Sequence, residues 1–310
     1  MSVPGPAGAA VAADLTEIAD GVFAHTQPNG GWCLSNAGVV TGGDGVLLVD
    51  TAATERRARA LADRVAGLGA GPVRTLVNTH SHGDHTFGNG IFAGSATVIA
   101  HERARHEMAE TGLALTGLWP DVEWGDVRVV LPDITFAEEL TVHVGERRAE
   151  LIHVGPAHST NDVVVWLPDE RVLFAGDVLM STCTPFLLFG SVSGALAAVA
   201  RLREFRPRTV VCGHGPVTGP EIFDLTESYL RRVAQVAAGA YPQGLSPLQA
   251  ARESDWSEFA HLLDPERVVG NLHRAYAELA GAPPGAPLAA TGVLAEMVEY
   301  NGGRPLTCLA

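Results

Sequence analysis

The stretch NTHSHGDHTFGN, residues 78–89, sets the reading of this chain. It places His80, His82, Asp84 and His85 within six positions, directly after a short apolar run of the kind that forms a buried strand. In a loop leaving a strand, His80 and His82 can converge on one ion while Asp84 and His85 reach toward a second. Imidazole and carboxylate suit borderline divalent ions such as zinc, and three or four protein ligands leave a position open for water. The cluster sits between glycines and has few apolar neighbours to pack with, which argues against scattered surface histidines.

Three more residues share this placement at the end of a strand-like run. His158 lies in GPAHSTND after AELIHV, Asp177 in LFAGD after RVLF, and His214 in CGHG after TVVC. Neighbouring glycines let the backbone approach closely at each. Each is a weak signal alone, but together with the cluster they complete two metal sites.

The 310 residues are 46% hydrophobic and 18% charged, a globular composition with room for a full core. No run approaches the roughly 20 apolar residues of a membrane span, so a soluble protein with no membrane partner is expected. A net charge of −14 opposes nucleic acid binding. All 21 basic residues are arginine, which excludes Schiff-base catalysis through a lysine side chain. Cys33, Cys183, Cys212 and Cys308 show no paired spacing and read as cytoplasmic thiols. The first fifteen residues lack a secretory pattern and read as a flexible lead-in.

Strand and helix signals alternate from there on. Residues 38–50 read as a hairpin, 54–68 as a helix, 73–78 and 97–100 as strands, and 101–110 as a polar helix. Residues 112–127 hold two tryptophans among glycine and proline and read as a long functional loop. Four strands are expected between 134 and 175, helices over 193–205 and 221–238, and a strand over 209–212. Two β-rich halves with flanking helices point to a layered α/β architecture, with a catalytic domain over 16–240 and a helical extension over 241–310.

In this order, HSHGDH, a later histidine, AGD and GHG resemble the motif set of the metallo-β-lactamase superfamily, from about Asp20 to Val217. The resemblance implies a four-layer αβ/βα sandwich with the metals at one edge between two sheets. Carried over by motif, His80, His82 and His158 would hold a first zinc ion, and Asp84, His85 and His214 a second. Asp177 would bridge the two, and Asp50 would support the ligand loop from behind. Iron or manganese are alternatives to zinc. A metal pair lowers the pKa of a bound water to roughly 7 and stabilises an oxyanion or enolate. Asp84 could pass a proton to the leaving group.

A closer resemblance lies in GGWCLSNAGVV, TGLALTGLWP, VGPAHSTNDVVVWLPDERVLFAGDV, TPFLLFGSVSG and YNGGRPLTCLA. These segments look like the metallo-β-lactamase-like cyclases of aromatic type II polyketide pathways. That implies aldol ring closure and dehydration of a poly-β-ketone, with hydrolysis of its thioester to an acyl carrier protein. The partners would be that carrier protein and an aromatic small-molecule product. A flat aromatic substrate calls for apolar, stacking walls, and Trp32, Trp119, Trp124, Phe186 and Phe189 are the candidates for them. The alternatives are a general hydrolase of small thioesters or lactones resembling glyoxalase II, a mononuclear-iron dioxygenase, and a binder without turnover. Residues 241–310 would cap the cleft or form a homodimer contact.

Overall fold

The chain is described here by a computed structural model covering residues 13–43 and 45–310. Four strands come first: β1 (Asp14–Ala19), β2 (Val22–Thr26), β3 (Ala37–Gly42) and β4 (Gly45–Val49). They are followed by α1 (Glu55–Gly67), β5 (Val73–Val77), the one-turn helices α2 (Gly83–Thr86) and α3 (Asn89–Phe92), β6 (Thr97–His101) and α4 (Glu102–Thr111). A long loop leads to β7 (Ile134–Phe136), β8 (Glu139–Val144), β9 (Arg147–His153), β10 (Val163–Leu167) and β11 (Val172–Met180). The remainder is α5 (Val192–Glu204), β12 (Thr209–His214), α6 (Ile222–Ala240), α7 (Pro247–Glu253), α8 (Arg267–Leu279) and α9 (Ala290–Tyr300).

The strands form two sheets, one of seven strands in the order β1 to β7 and one of five in the order β12-β11-β10-β9-β8. Val40, Leu47, Val49 and Val77 of the first sheet pack against Val163, Val165, Val172, Phe174 and Val211 of the second. On the outer face of the first sheet, Leu61 and Val65 of α1 cover Val39, Leu48, Leu76 and Val98. The outer face of the second is covered by α5, α6 and the C-terminal helices. The result is the four-layer αβ/βα order expected from the two β-rich halves.

One expectation needs correction. The lead-in cannot extend to residue 15, because Asp14 and Leu15 already pair with Thr26 and His25 in β1 and β2; residues 1–12 lie outside the described part. Strand β1 gives no strand signal because it is an edge strand whose residues are exposed or half-buried, so no face is clearly apolar. Among the described residues, no helix is long and apolar enough to cross a membrane.

The sheets approach closely at Gly38, where an added Cβ would lie 2.3 Å from Cε1 of Phe174. The ring has buried neighbours and no direction in which to yield. Gly38→Ala should therefore cost about 1–3 kcal/mol by overpacking, read as a lower urea midpoint at unchanged m-value. An unchanged midpoint would show that the interface is looser than this.

Candidate metal centre

The polar residues singled out in the sequence lie at or just beyond strand ends, except Asp177, which lies inside a strand. Asp50 follows β4, the HSHGDH loop follows β5, His158 lies between β9 and β10, Asp177 is within β11, and His214 closes β12. Pairing of β11 with β12 slips between Gly176 and Met180, a bulge that re-aims Asp177 toward the histidines. Gly213 makes this possible, since a Cβ there would sit 1.9 Å from Asp177 Oδ1.

The structure brings all seven proposed ligands together. Ligand atoms of His80, His82 and His158 lie within 4.8 Å of one another, as do those of Asp84, His85 and His214 and those of His80, His85 and Asp177. Asp177 stands between the two triplets: its Oδ1 is 3.1 Å from His85 Nε2, and its Oδ2 is 3.4 Å from both His158 Nε2 and His214 Nε2. These groups are buried, apart from His82 at the cavity surface.

The hydrogen bonds behind the rings fix which nitrogen is bare. His158 Nδ1 faces the carbonyl of Phe186, which can only accept, so Nδ1 carries the proton. Thr79 Oγ1 donates to Asp50 Oδ2 at 2.7 Å, so it accepts from His80 Nδ1 at 3.0 Å. His85 Nδ1 donates to the same Asp50 carboxylate at 2.9 Å. In the neutral tautomer all three therefore aim an Nε2 lone pair inward. Around His82 Nδ1, His80 Nε2 lies at 3.1 Å and His158 Nε2 at 2.8 Å, a meeting of nitrogens that a shared cation would satisfy. His85 Nε2 and Asp177 Oδ1 are buried facing each other at 3.1 Å without an aligned hydrogen bond, and neither has another hydrogen-bond partner among the described residues. The donor set thus fits divalent cations.

Asp50 holds this arrangement from the strand end. It adopts a left-handed backbone (φ 61°), and its carboxylate also accepts from Thr79 N at 2.8 Å. Asp162 shapes the His158 loop by accepting from Ala157 N, Ser159 N and Ser159 Oγ, while burial pushes its carboxyl up to about 7.

Electrostatics divide the histidines. Burial holds His158 down to about 3 and His80 well below the usual range. Burial also opposes the charge on His85 and His214, but the carboxylates of Asp177 and Asp84, with Asp50 for His85, outweigh it. His85 is raised well above its ordinary value and His214 to about 9. Asp84 in turn is lowered to about 2, because His85 and His214 overcome the effect of its burial.

Beside the cluster opens a cavity of about 530 Å³, with His82, Asp84, His158, Asp177 and His214 in its floor. Trp32, Trp119, Phe186 and Phe189 form its walls, with Trp32 5.7 Å from Trp119 and 5.2 Å from Phe186, and Phe189 5.5 Å from His82. Trp124 does not line it. That ring packs 6.1 Å from Phe87 and its Nε1 donates to Trp119 O, so it props the loop from outside. The C-terminal region supplies much of the remaining wall through Arg267, Arg274, Leu288, Leu294 and Leu306. Arg267 lies 3.9 Å over the Trp32 ring, and Trp119 Nε1 donates to Leu306 O at 2.8 Å. Nothing local in the sequence marks these residues; the folding of the C-terminal region brings them to the cavity.

A family model described as the Metallo-beta-lactamase superfamily matches residues 30–214. The chain belongs to the metallo-beta-lactamase superfamily. It is 24% identical over 236 residues to a metallo-beta-lactamase type 2 of Bacteroides fragilis, a match covering 70% of this chain and 85% of that one. It is 31% identical over 156 residues to a hydroxyacylglutathione hydrolase of Rhodospirillum rubrum, covering 49% of this chain and about half, 52%, of the relative's length. Among solved structures, a metallo-beta-lactamase from Pontibacter korlensis superposes with a TM-score of 0.60 at 24% identity, over 71% of this chain and 99% of that one. The likeness at that identity supports the fold. The family match ends at His214, so the cavity wall built by Arg267 to Leu306 lies beyond it.

A raised pKa on a histidine means that the metal-free protein keeps a proton where a cation would bind. His214 is protonated below about 9, so cation uptake near neutral pH must expel protons and affinity must rise with pH up to that range. Calorimetric titration with Zn²⁺ in buffers of differing ionisation enthalpy should show net proton release. Proton-neutral binding would contradict this electrostatic account.

Proposed function

We propose that this superfamily member is a zinc-dependent cyclase of aromatic polyketide biosynthesis. It would close a ring by intramolecular aldol condensation and dehydration and hydrolyse the thioester to an acyl carrier protein. The observation that carries this reading is the cavity of about 530 Å³ against the histidine–aspartate cluster, walled by Trp32, Trp119, Phe186 and Phe189. Its size suits a multi-ring ligand, and its rings offer faces and edges to flat aromatic groups.

His80, His82 and His158 would hold one zinc ion, and Asp84, His85 and His214 another, with Asp177 between them. Bound there, the ions would supply an activated water and Lewis acidity toward carbonyl oxygens. Trp32 and Phe186, packed edge to face, would form one side of the wall against the substrate. The apolar walls would exclude bulk water, which favours loss of water after the aldol step and limits premature thioester cleavage. Asp84 lies in the cavity floor with Oδ2 3.3 Å from His214 Nε2, placed to accept a proton from the attacking water and return it to the leaving sulfur. With no lysine in the chain, carbon–carbon bond formation would not run through a Schiff base.

The similarity to hydroxyacylglutathione hydrolase favours a second reading, hydrolysis of small thioesters or lactones. Incubating the zinc-loaded protein with a carrier-protein-bound bicyclic polyketide and with a hydroxyacyl glutathione thioester separates the two. The proposal expects a dehydrated, further cyclised product released from the carrier. Rapid cleavage of the small thioester with the carrier-bound intermediate untouched would overturn it. Asp84→Asn should lower turnover by about 100-fold or more with the circular dichroism spectrum retained; a fully active variant would remove Asp84 from the chemistry.

A further inference from the structure

Three hydrogen bonds converge on a carboxylate to which the ligand set gives no role. Glu107, in α4, lies in the cavity wall beside Ser81 and Thr160. Its Oε2 accepts from Ser81 Oγ at 2.8 Å and from Asn161 Nδ2 at 2.7 Å, and its Oε1 accepts from Thr160 Oγ1. Ser81 stands between His80 and His82, while Thr160 and Asn161 closely follow His158.

The two loops also bond to each other, Ser81 N donating to Asn161 Oδ1 at 3.0 Å. Asp162 shapes the His158 loop from within, and Asp50 braces His80 and His85 from behind. Neither of those carboxylates is bonded to both Ser81 and the residues after His158, as Glu107 is. Ser81, Thr160 and Asn161 are all used as donors to it, so both of its oxygens are tied to the two loops. Its negative charge also acts on His82, with those of Asp84 and Asp177, against the effect of burial.

We infer that Glu107 is a positioning residue that clamps the HSHGDH loop to the His158 loop and thereby sets the affinity of the His80–His82–His158 triplet for a divalent cation. This rests on reading that triplet as a metal site. Its three donors flank the first triplet in sequence, Ser81 between His80 and His82 and Thr160 and Asn161 just after His158, whereas none of them adjoins Asp84, His85 or His214, so loosening the clamp should act mainly on one site. Partners behind metal ligands typically govern affinity by about 10–100-fold.

The test is stepwise titration of metal-free wild type, Glu107→Ala and Glu107→Gln with Zn²⁺ against a chromophoric chelator, repeated with Co²⁺ to record visible absorption. Glu107→Ala should weaken one of the two stepwise affinities by about 10–100-fold, leave the other unchanged and alter the Co²⁺ spectrum of the weakened site. Glu107→Gln retains shape and one acceptor oxygen, so it should lose less; it also serves if the alanine variant fails to fold. Wild-type affinities and spectra in both variants, with only a lower melting temperature, would overturn the clamp and reduce Glu107 to a packing contact. A wild-type protein that binds neither Zn²⁺ nor Co²⁺ would instead overturn the metal reading itself, and this inference with it.

Discussion

Two buried carboxylates, Asp84 and Asp177, face the rings of His80, His82, His85, His158 and His214 at the edge of both sheets. Burying a carboxylate or an unpaired imidazole nitrogen costs several kcal/mol unless an opposite charge or a hydrogen bond offsets it. Without a cation, protons on His85 and His214 supply that opposite charge, which is why both are raised while His80 and His158 stay neutral. The rest of the edge is organised to hold this convergence in place. Asp50 takes a left-handed backbone to reach Thr79 and His85, the Phe186 carbonyl fixes the tautomer of His158, and Gly213 leaves room for Asp177.

The scaffold separates two tasks. Strand ends of the two sheets carry the polar cluster, where a rigid ladder limits how far each side chain can move. Loops within the matched region carry the aromatic wall, through Trp32, Trp119, Phe186 and Phe189, and the C-terminal region adds Arg267, Leu288, Leu294 and Leu306. The family match covers the polar cluster and the aromatic wall and ends before the C-terminal part of the cavity. Residues 241–310 pack against α6 and form part of the cavity wall.

The cluster was legible in the sequence because four of its members share one loop and the other three each follow an apolar run with glycine beside them. The layered fold was legible for a similar reason: strands buried on both faces, such as β4 and β10, read as unbroken apolar runs. The exposed edge strand β1 lacks such a run and went unread. The cavity wall was only half legible. Trp32, Trp119, Phe186 and Phe189 do line it, but Trp124 shares their loop context and turns outward against Phe87. Glu107 sits in an ordinary polar helix, and only the folded chain shows its oxygens meeting Ser81, Thr160 and Asn161.

The central claim is that the convergence at the sheet edge exists to hold divalent cations. Elemental analysis by inductively coupled plasma mass spectrometry, on protein purified without chelator and on its His82→Ala variant, tests it most directly. The account predicts two equivalents of metal per chain in the wild type, zinc foremost, and fewer in the variant. A wild-type protein that carries no metal and acquires none on dialysis against zinc, iron or manganese would contradict it.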